Sequence, residues 1–408
     1  RRQRQMCIRD RVLRDTMDDL TTRVDFSGIR IAVCLILEPK TAILLRKLKA
    51  AGAIVGVYCG PDSTDPRVAE QLRREGITVE SSRAWTAEQA HEAALRLLDK
   101  IQPNIIIDDG ASFARLASFE RPELTANLIG VAEETTSGVR AFQQMQEAGA
   151  LTYPVVAVND SVLKTGFDNA HGTGETCVTT MQRILGEHAF DGKNVTVIGY
   201  GPVGQGFARR IRALGAEVTI CDIDPVASLK AVFDGFAAQD IDEALPCADM
   251  VVSATGVRHT VTLEHMRAMH EGAALAVIGG IANEIALDEV SDFTPQVNRD
   301  TAQLIVPDGP TLTLIADGDG VNYTVGGGNP IEIMDLSFAV QASAVAYLLE
   351  HRGTLDHTLI RLDAATDQRI AASALKARGY RASHAVEDNG YDWRLTRFAE
   401  NDRENADR

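Results

Sequence analysis

The chain has 408 residues, with 41 lysines and arginines against 57 aspartates and glutamates, a net charge of −16, and a composition 45% hydrophobic but only 5% aromatic. That length suits two or three domains with well-buried cores, and so acidic a surface repels phosphate backbones and argues against nucleic-acid binding. No uninterrupted apolar run reaches bilayer length and the start has no signal-like apolar segment, so neither membrane nor secretion is expected and the cytoplasm is the expected home.

The first residues, RRQRQMCIRDR, are strongly basic. Residues 1–27 are set apart as an N-terminal extension, read as a fragment end, a vector or assembly scar, or a frayed helix, outside the functional argument. From Gly28 the pattern becomes regular. IRIAVCLIL reads as a buried parallel strand, and PKTAILLRKLKAAG follows as a helix with Pro39 in its first turn and Gly52 closing it. AIVGVY, helix PRVAEQLRREG, strand ITVE and helix TAEQAHEAALRLLDK, capped by Thr86, continue the alternation. PNIIIDDG then ends a strand in Asp108 and Asp109. Such β-α-β-α order means an open α/β sheet, with ligands expected beyond the carboxyl ends of its strands.

A second unit begins near Thr173. Helix CVTTMQRILGEH leads to strand NVTVIGY, and Gly199, Gly201 and Gly204 form G-x-G-x-x-G between that strand and helix VGQGFARRIRALGA. The first glycine permits a tight turn, the second lets a pyrophosphate approach the backbone, and the third allows close helix–strand packing. Strand EVTICDID carries Asp222, suitably placed to bind the ribose diol of NAD and repel a 2′-phosphate. Strands DMVVSAT, AALAVIGG and LTLIADG follow, then a long apolar helix in IMDLSFAVQASAVAYLLEHRG. The expected fold is α/β, with two doubly wound Rossmann-like domains and a C-terminal helical segment. Residues 28–172 with 328–384 form a substrate domain, 173–327 an NAD domain, and 385–408 a polar tail. The six cysteines show no C-x-x-C pair and read as buried free thiols rather than metal ligands.

The stretch NDSVLKTGFDNAHGTGET concentrates amides, carboxylates and Lys164 upstream of the glycine turn. In isolation Lys164 and Asp168 would be a surface i,i+4 pair, and Asp108 and Asp109 a helix cap. Taken in order, however, VNDSVLKTGFDN and VIGYGPVGQG resemble the S-adenosylhomocysteine hydrolase family. So do IIIDDGA, GVAEETTSGVR, ICDIDP, SATG, VNY at Asn322 and the Met334–Phe338 segment. The resemblance runs from about Gly28 to about Leu349. It implies a redox cycle inside a hydrolase: bound NAD oxidises the nucleoside 3′-hydroxyl, the 4′-proton is lost, the 5′-substituent leaves, water adds, and the ketone is reduced again.

On this reading Lys164 takes the 3′-hydroxyl proton, provided desolvation and a nearby cation lower its pKa. Glu134 and Asp168 hold the ribose, Glu134 also steadies Lys164, and Asp109 handles the 4′-proton. Asn169 sits between ribose and nicotinamide. Cofactor contacts fall to Gly199, Gly201, Pro202, Val203, Gly204, Asp222, Thr255, Gly256, Ile278, Gly279 and Asn322. No metal is expected, the partner is a small nucleoside, and the family implies a homo-oligomer, dimer or tetramer. His171 either caps a helix or faces the site.

The departures concern substrate. Where the family has His-Met-Thr this chain has Ile36-Leu37-Glu38, and the family's base-associated Glu is Lys40, which would reverse hydrogen-bond polarity toward the base. Its later Gly-His-Phe is Gly279-Gly280-Ile281, its Gly-His-Pro is Gly328-Asn329-Pro330, and its C-terminal Lys-Pro-Asp-His-Tyr-Arg-Tyr tail has no counterpart. Three activities remain open: a family enzyme acting on S-adenosylhomocysteine or a related 5′-substituted nucleoside, whose divergent form runs only the elimination half; an NAD-binding regulatory pseudoenzyme; and a dehydrogenase releasing its reduced cofactor.

Overall fold

A computed structural model describes residues 11–281, 283–296 and 299–385. The first sheet is built from β1 (Arg30–Cys34), β2 (Ile54–Cys59), β3 (Thr78–Ser81), β4 (Ile105–Asp108), β5 (Gly130–Glu133) and β6 (Val155–Ala157). The second holds β7 (Asn194–Ile198), β8 (Glu217–Cys221), β9 (Ala237–Ala238), β10 (Met250–Ser253), β11 (Ala274–Val277), β12 (Thr301–Ile305) and β13 (Thr311–Ile315), while β14 (Leu359–Ile360) returns to the first. Their orders are β14-β6-β5-β4-β1-β2-β3 and β12-β13-β11-β10-β7-β8-β9. Pairing is parallel throughout except between β12 and β13.

Each sheet therefore reverses its winding once, between β1 and β4 and between β7 and β10. At those points the loops diverge and leave a crevice at the strands' carboxyl ends. The strands themselves read as apolar because helices cover both faces: every residue of β4, β5, β10 and β11 is buried.

The chain crosses from the first sheet to the second through Lys164–Thr173, which is wound as a π-helix, and recrosses through Val321–Thr324 and the glycine-rich turn after it. The helix Ile331–Glu350 then packs into the first sheet's core. It reaches 20 residues at mean hydropathy 1.3, with 72% of its apolar window buried inside the protein. This corrects the expectation that no segment reaches bilayer length: Asp335, Gln341 and two serines within it broke the apolar run in the sequence, yet it is a core helix.

The N-terminal segment also needs correction. Residues 11–27 are not a dispensable extension, because Val12, Leu13, Met17 and Leu20 from helix Arg11–Leu20, with Val24 and Phe26, lie in the first sheet's core. Asp335 caps that helix from within Ile331–Glu350, accepting from the amides of Val12 at 3.0 Å and Leu13 at 2.9 Å. A carboxylate at a helix N-terminus satisfies donors that have no partner within the helix. The remaining basic residues and Cys7 lie outside the described residues, as does the tail from residue 386. Cys59, Cys177 and Cys221 are buried free thiols, Cys34 is half-buried, and Cys247 is exposed, against expectation.

Candidate active site

One cavity of about 1310 Å³ lies between the carboxyl ends of the two sheets. From the first sheet it is lined by Leu35–Glu38 after β1, Asp109 after β4 and Glu134 after β5. From the second it is lined by Gly199 after β7, Asp222 after β8, Thr255 and Gly256 after β10, and Ile278 and Gly279 after β11. Lys164, Asp168, Asn169 and Asn322 enter from the two crossings, and Pro202 and Val203 from the glycine turn. Of the residues assigned a catalytic or cofactor role in the sequence only Gly204 does not reach the cavity. It packs against the turn instead: a Cβ there would stand 2.0 Å from the carbonyl oxygen of Gly199.

The π-helix explains why a sequence-local pair becomes a buried cluster. Its wider winding brings both the fourth and fifth residue around over the first. Lys164 Nζ lies 2.9 Å from Asp168 Oδ2 and donates to Asn169 Oδ1 at 3.1 Å. Asn169 in turn donates to Asn159 Oδ1 at 3.1 Å. Asp168 also accepts from Ser337 Oγ at 2.8 Å and from Asn329 Nδ2. Burial opposes its charge, but Lys164, Ser337 and Asn329 outweigh burial and hold the Asp168 carboxyl below its ordinary value.

Lys164 departs from expectation. Burial favours the neutral amine, yet Asp168, Glu134 and Asp109 together hold the ammonium above its ordinary value. Glu134 lies 3.7 Å away, and burial pushes its carboxyl up to about 8, with Lys164 opposing. Both Glu134 oxygens are buried with no hydrogen-bond partner among the described residues. Buried polar atoms are ordinarily paired, so two open acceptors beside a lysine mark a place for a ligand's hydroxyl groups. Asp109 is likewise raised by burial, against the pull of Lys164 and Thr135.

Asp108, the neighbour of Asp109, does cap the following helix, accepting from Phe113 N at 3.0 Å and Ala114 N at 2.8 Å. His171 neither caps a helix nor lines the cavity; it is exposed, with Nδ1 3.1 Å from Arg210 Nη2. Lys40 is the clearest correction. Its ammonium donates to the carbonyls of Asn329 at 2.6 Å and Gly327 at 3.2 Å and pairs with Glu38 at 2.9 Å, and it does not line the cavity. Glu38 does, so the wall still presents a carboxylate, moved two positions along the chain.

Asn329 is a junction. Its Oδ1 accepts from Asn322 Nδ2 and Thr176 Oγ1, both at 3.1 Å, and its Nδ2 donates to Thr173 Oγ1 at 3.1 Å as well as to Asp168. Sequence reading missed the support given by Ser337, Asn159 and Glu284. Glu284 is wholly buried, takes Ser253 Oγ at 2.5 Å, and stands behind Thr255. Asn159 stands in VNDSVLKTGFDN and Ser337 in the Met334–Phe338 segment without either having been given a role, and Glu284 lies in no pattern that separates it from ordinary polar residues.

The second sheet's crevice fits a dinucleotide. Gly199 adopts φ +95°, in the left-handed region, and Gly201 has open space where a side chain would project. The helix Pro202–Ala213 turns its N-terminal amides toward the cavity, the position in which such folds hold a pyrophosphate. Asp222 is fixed by the amides of Tyr200 at 2.6 Å and Asp224 at 2.9 Å, leaving lone pairs for a ribose diol.

A family model described as "S-adenosyl-L-homocysteine hydrolase, NAD binding domain" matches residues 169–328. An adenosylhomocysteinase of Thermococcus kodakarensis is 38% identical over 381 residues, spanning 92% of this chain and 90% of its own length. One of Thermotoga maritima is 37% identical over 380 residues, spanning 92% and 94%. An S-inosyl-L-homocysteine hydrolase of Methanopyrus kandleri is 37% identical over 357 residues, spanning 86% and 84%. With this identity along almost its whole length, and with a dinucleotide crevice opening onto the Lys164 cluster, the chain belongs to the S-adenosylhomocysteine hydrolase family of NAD-dependent enzymes.

Proposed function

We propose that the protein cleaves the 5′-thioether of a purine nucleoside, S-adenosylhomocysteine or a close relative, by transient oxidation of the 3′-carbon. Bound NAD supplies the hydride acceptor for that carbon and restores the hydride at the end. Gly199, Gly201, Pro202 and Val203 would hold its pyrophosphate, Asp222 its ribose, and Thr255, Gly256, Ile278, Gly279 and Asn322 its nicotinamide side.

The observation that carries the reading is the pair of unpartnered Glu134 oxygens beside the buried Lys164–Asp168 pair. Ribose hydroxyl groups would donate to Glu134 and Asp168, and Lys164 with Glu134 would receive the 3′-hydroxyl proton. The 3′-ketone then acidifies the 4′-position. Asp109 takes that proton, and the C–H electron pair passes into the carbonyl and onward to expel the 5′-sulfur as thiolate. Water adds at the 5′-carbon, a proton returns to the 4′-carbon, and the net change is hydrolysis. Glu38, an acceptor on the cavity wall, favours a base bearing an amino group over one bearing an oxo group at the same position.

An elimination-only enzyme is the second reading. It is favoured by Ile36 and Gly280, which line the cavity where the family carries histidines and cannot deliver a proton to the leaving group or to water. The buried free thiols support a reducing, cytoplasmic home. Exposed Val226, Leu229, Val232 and Phe233 on one helix support a homo-oligomer, dimer or tetramer, which light scattering would establish.

The test is incubation of the purified protein with adenosine and with S-adenosylhomocysteine in heavy water. Cofactor absorbance, deuterium at the 4′-carbon and thiol release are followed together. All three signals are expected for the hydrolase. The 4′,5′-unsaturated nucleoside accumulating without hydration would indicate the second reading. No 4′-exchange with any nucleoside would sink both.

A further inference from the structure

Glu133 lies one residue before Glu134 but faces away from the cavity. It is wholly buried at the end of β5, directly beside Asp108 at the end of β4. Its Oε1 accepts from Gly110 N at 3.0 Å, Thr135 N at 2.8 Å and Thr135 Oγ1 at 2.7 Å, and its Oε2 from Ala111 N at 2.9 Å. The amides of Gly110 and Ala111 belong to the turn that follows Asp109. That turn needs holding: Gly110 and Ala111 both have positive φ, +69° and +55°, and the alanine is there without a glycine's freedom.

We propose that Glu133 is the positioning residue for Asp109, fixing the turn that presents the 4′-base to the cavity. The inference rests on the functional reading given above. One carboxylate ties the loop after β4 to the loop after β5, so it sets the spacing between Asp109 and Glu134 without touching substrate. Thr135 completes the link, since its Oγ1 accepts from Gly110 N at 2.8 Å. Gly138 completes the space, because a Cβ there would stand 2.1 Å from the Glu133 carboxyl carbon. An uncharged amide of the same shape has only one accepting atom, so it cannot satisfy both sets of donors. Misplacing a reacting group by about 1 Å costs on the order of 100-fold.

The full-length protein with its bound cofactor is mixed with adenosine in heavy water, and cofactor reduction and 4′-deuterium uptake are read on the same sample. Glu133→Gln is expected to lower 4′-exchange on the order of 10- to 100-fold, while cofactor reduction, which depends on the Lys164 cluster, stays within about twofold of wild type. Gly138→Ala, which displaces the carboxyl group without removing either accepting oxygen, is the second variant and should give the same split. Loss of both signals together in both variants, or of neither, overturns the role of Glu133. A wild-type protein showing neither signal instead sinks the proposed reaction, and this inference with it.

Discussion

Glu134 comes within 3.7 Å of the Lys164 ammonium, yet neither of its buried oxygens has a hydrogen-bond partner among the described residues. The two side chains thus form a close buried pair with unspent hydrogen-bonding capacity. Its proton inventory sets the first prediction.

Burial pushes Glu134 up to about 8, with Lys164 opposing, and Lys164 itself stays above its ordinary value. Well below pH 8 the pair holds both protons and has no vacancy for the proton of a 3′-hydroxyl. One proton leaves as the pH rises through about 8, and the pair can then act as a base. Cofactor reduction on adding adenosine is therefore expected to rise with pH and level off above about 8. Glu134→Gln should move this limb upward and slow reduction about 100-fold or more. An unmoved limb would show that Glu134 does not titrate in the step. The stability linkage has the same sign: a raised carboxyl favours the fold at low pH, and that contribution is lost as pH climbs from 4.5 through about 8.

Asp222 holds its place through the Tyr200 and Asp224 amides and stands at the end of β8. Asp222→Ala should weaken NAD binding and lessen the discrimination against a 2′-phosphorylated cofactor, about tenfold or more in the ratio of dissociation constants. Titration of protein stripped of cofactor measures both constants. An unchanged ratio would remove Asp222 from the ribose site.

Asn329 donates to Asp168 and accepts from Asn322, so it joins the ribose-binding carboxylate to the cofactor-facing amide. Asn329→Ala is expected to reduce turnover about tenfold or more by leaving a charged acceptor short of one donor. Asn329→Asp should be worse, since a second carboxylate beside Asp168 opposes its ionisation. Equal losses in the two variants would mean that the charge at Asp168 is immaterial.

Lys40 and Glu38 make opposite predictions although they form one pair at 2.9 Å. Glu38→Gln should narrow the preference for adenosine over inosine in kcat/KM. Lys40→Met should weaken both nucleosides alike, because the ammonium secures the carbonyls of Gly327 and Asn329 rather than facing the cavity. A selective effect of Lys40→Met on one base would show instead that Lys40 reaches the base.

Asp335→Ala leaves the Val12 and Leu13 amides without their carboxylate. A loss of about 2 kcal/mol in unfolding free energy is expected, read from the denaturant midpoint. Deleting residues before Thr21 should cost more, because Val12, Leu13, Met17 and Leu20 are buried. A truncated chain with wild-type stability would return this helix to the status of an extension.

The alternation of strands and helices was legible because parallel strands buried on both faces must be apolar, as in IRIAVC and NVTVIGY. The glycine turn and Asp222 were legible because their chemistry depends on local order. What escaped the sequence depended on distance or on winding. Ser337 meets Asp168 across 169 positions, and Asp335 meets Val12 across 323. Nothing in KTGFDNAHGT announced a π-helix, although that winding is what turns an i,i+4 pair into a buried cluster. Lys40 was misjudged because a side chain's direction, unlike its identity, is decided by the loop it meets. The helix Arg11–Leu20 was dismissed for its basic flank, while its buried side chains were already spaced for one helical face.

Both crossings between the sheets carry chemistry: Lys164, Asp168 and Asn169 on the outward strand of chain, Asn322 and Asn329 on the return, cross-linked by the Asn329 side chain. Two tethers lying side by side define an axis. If the cleft opens by rotation about it, the walls swing while the groups nearest the pivot scarcely move. Substrate could then enter and leave without the reactive cluster being taken apart and rebuilt at each turnover. The same arrangement implies that substitutions in either tether will change opening and chemistry together, so their kinetic effects will resist separation into one or the other.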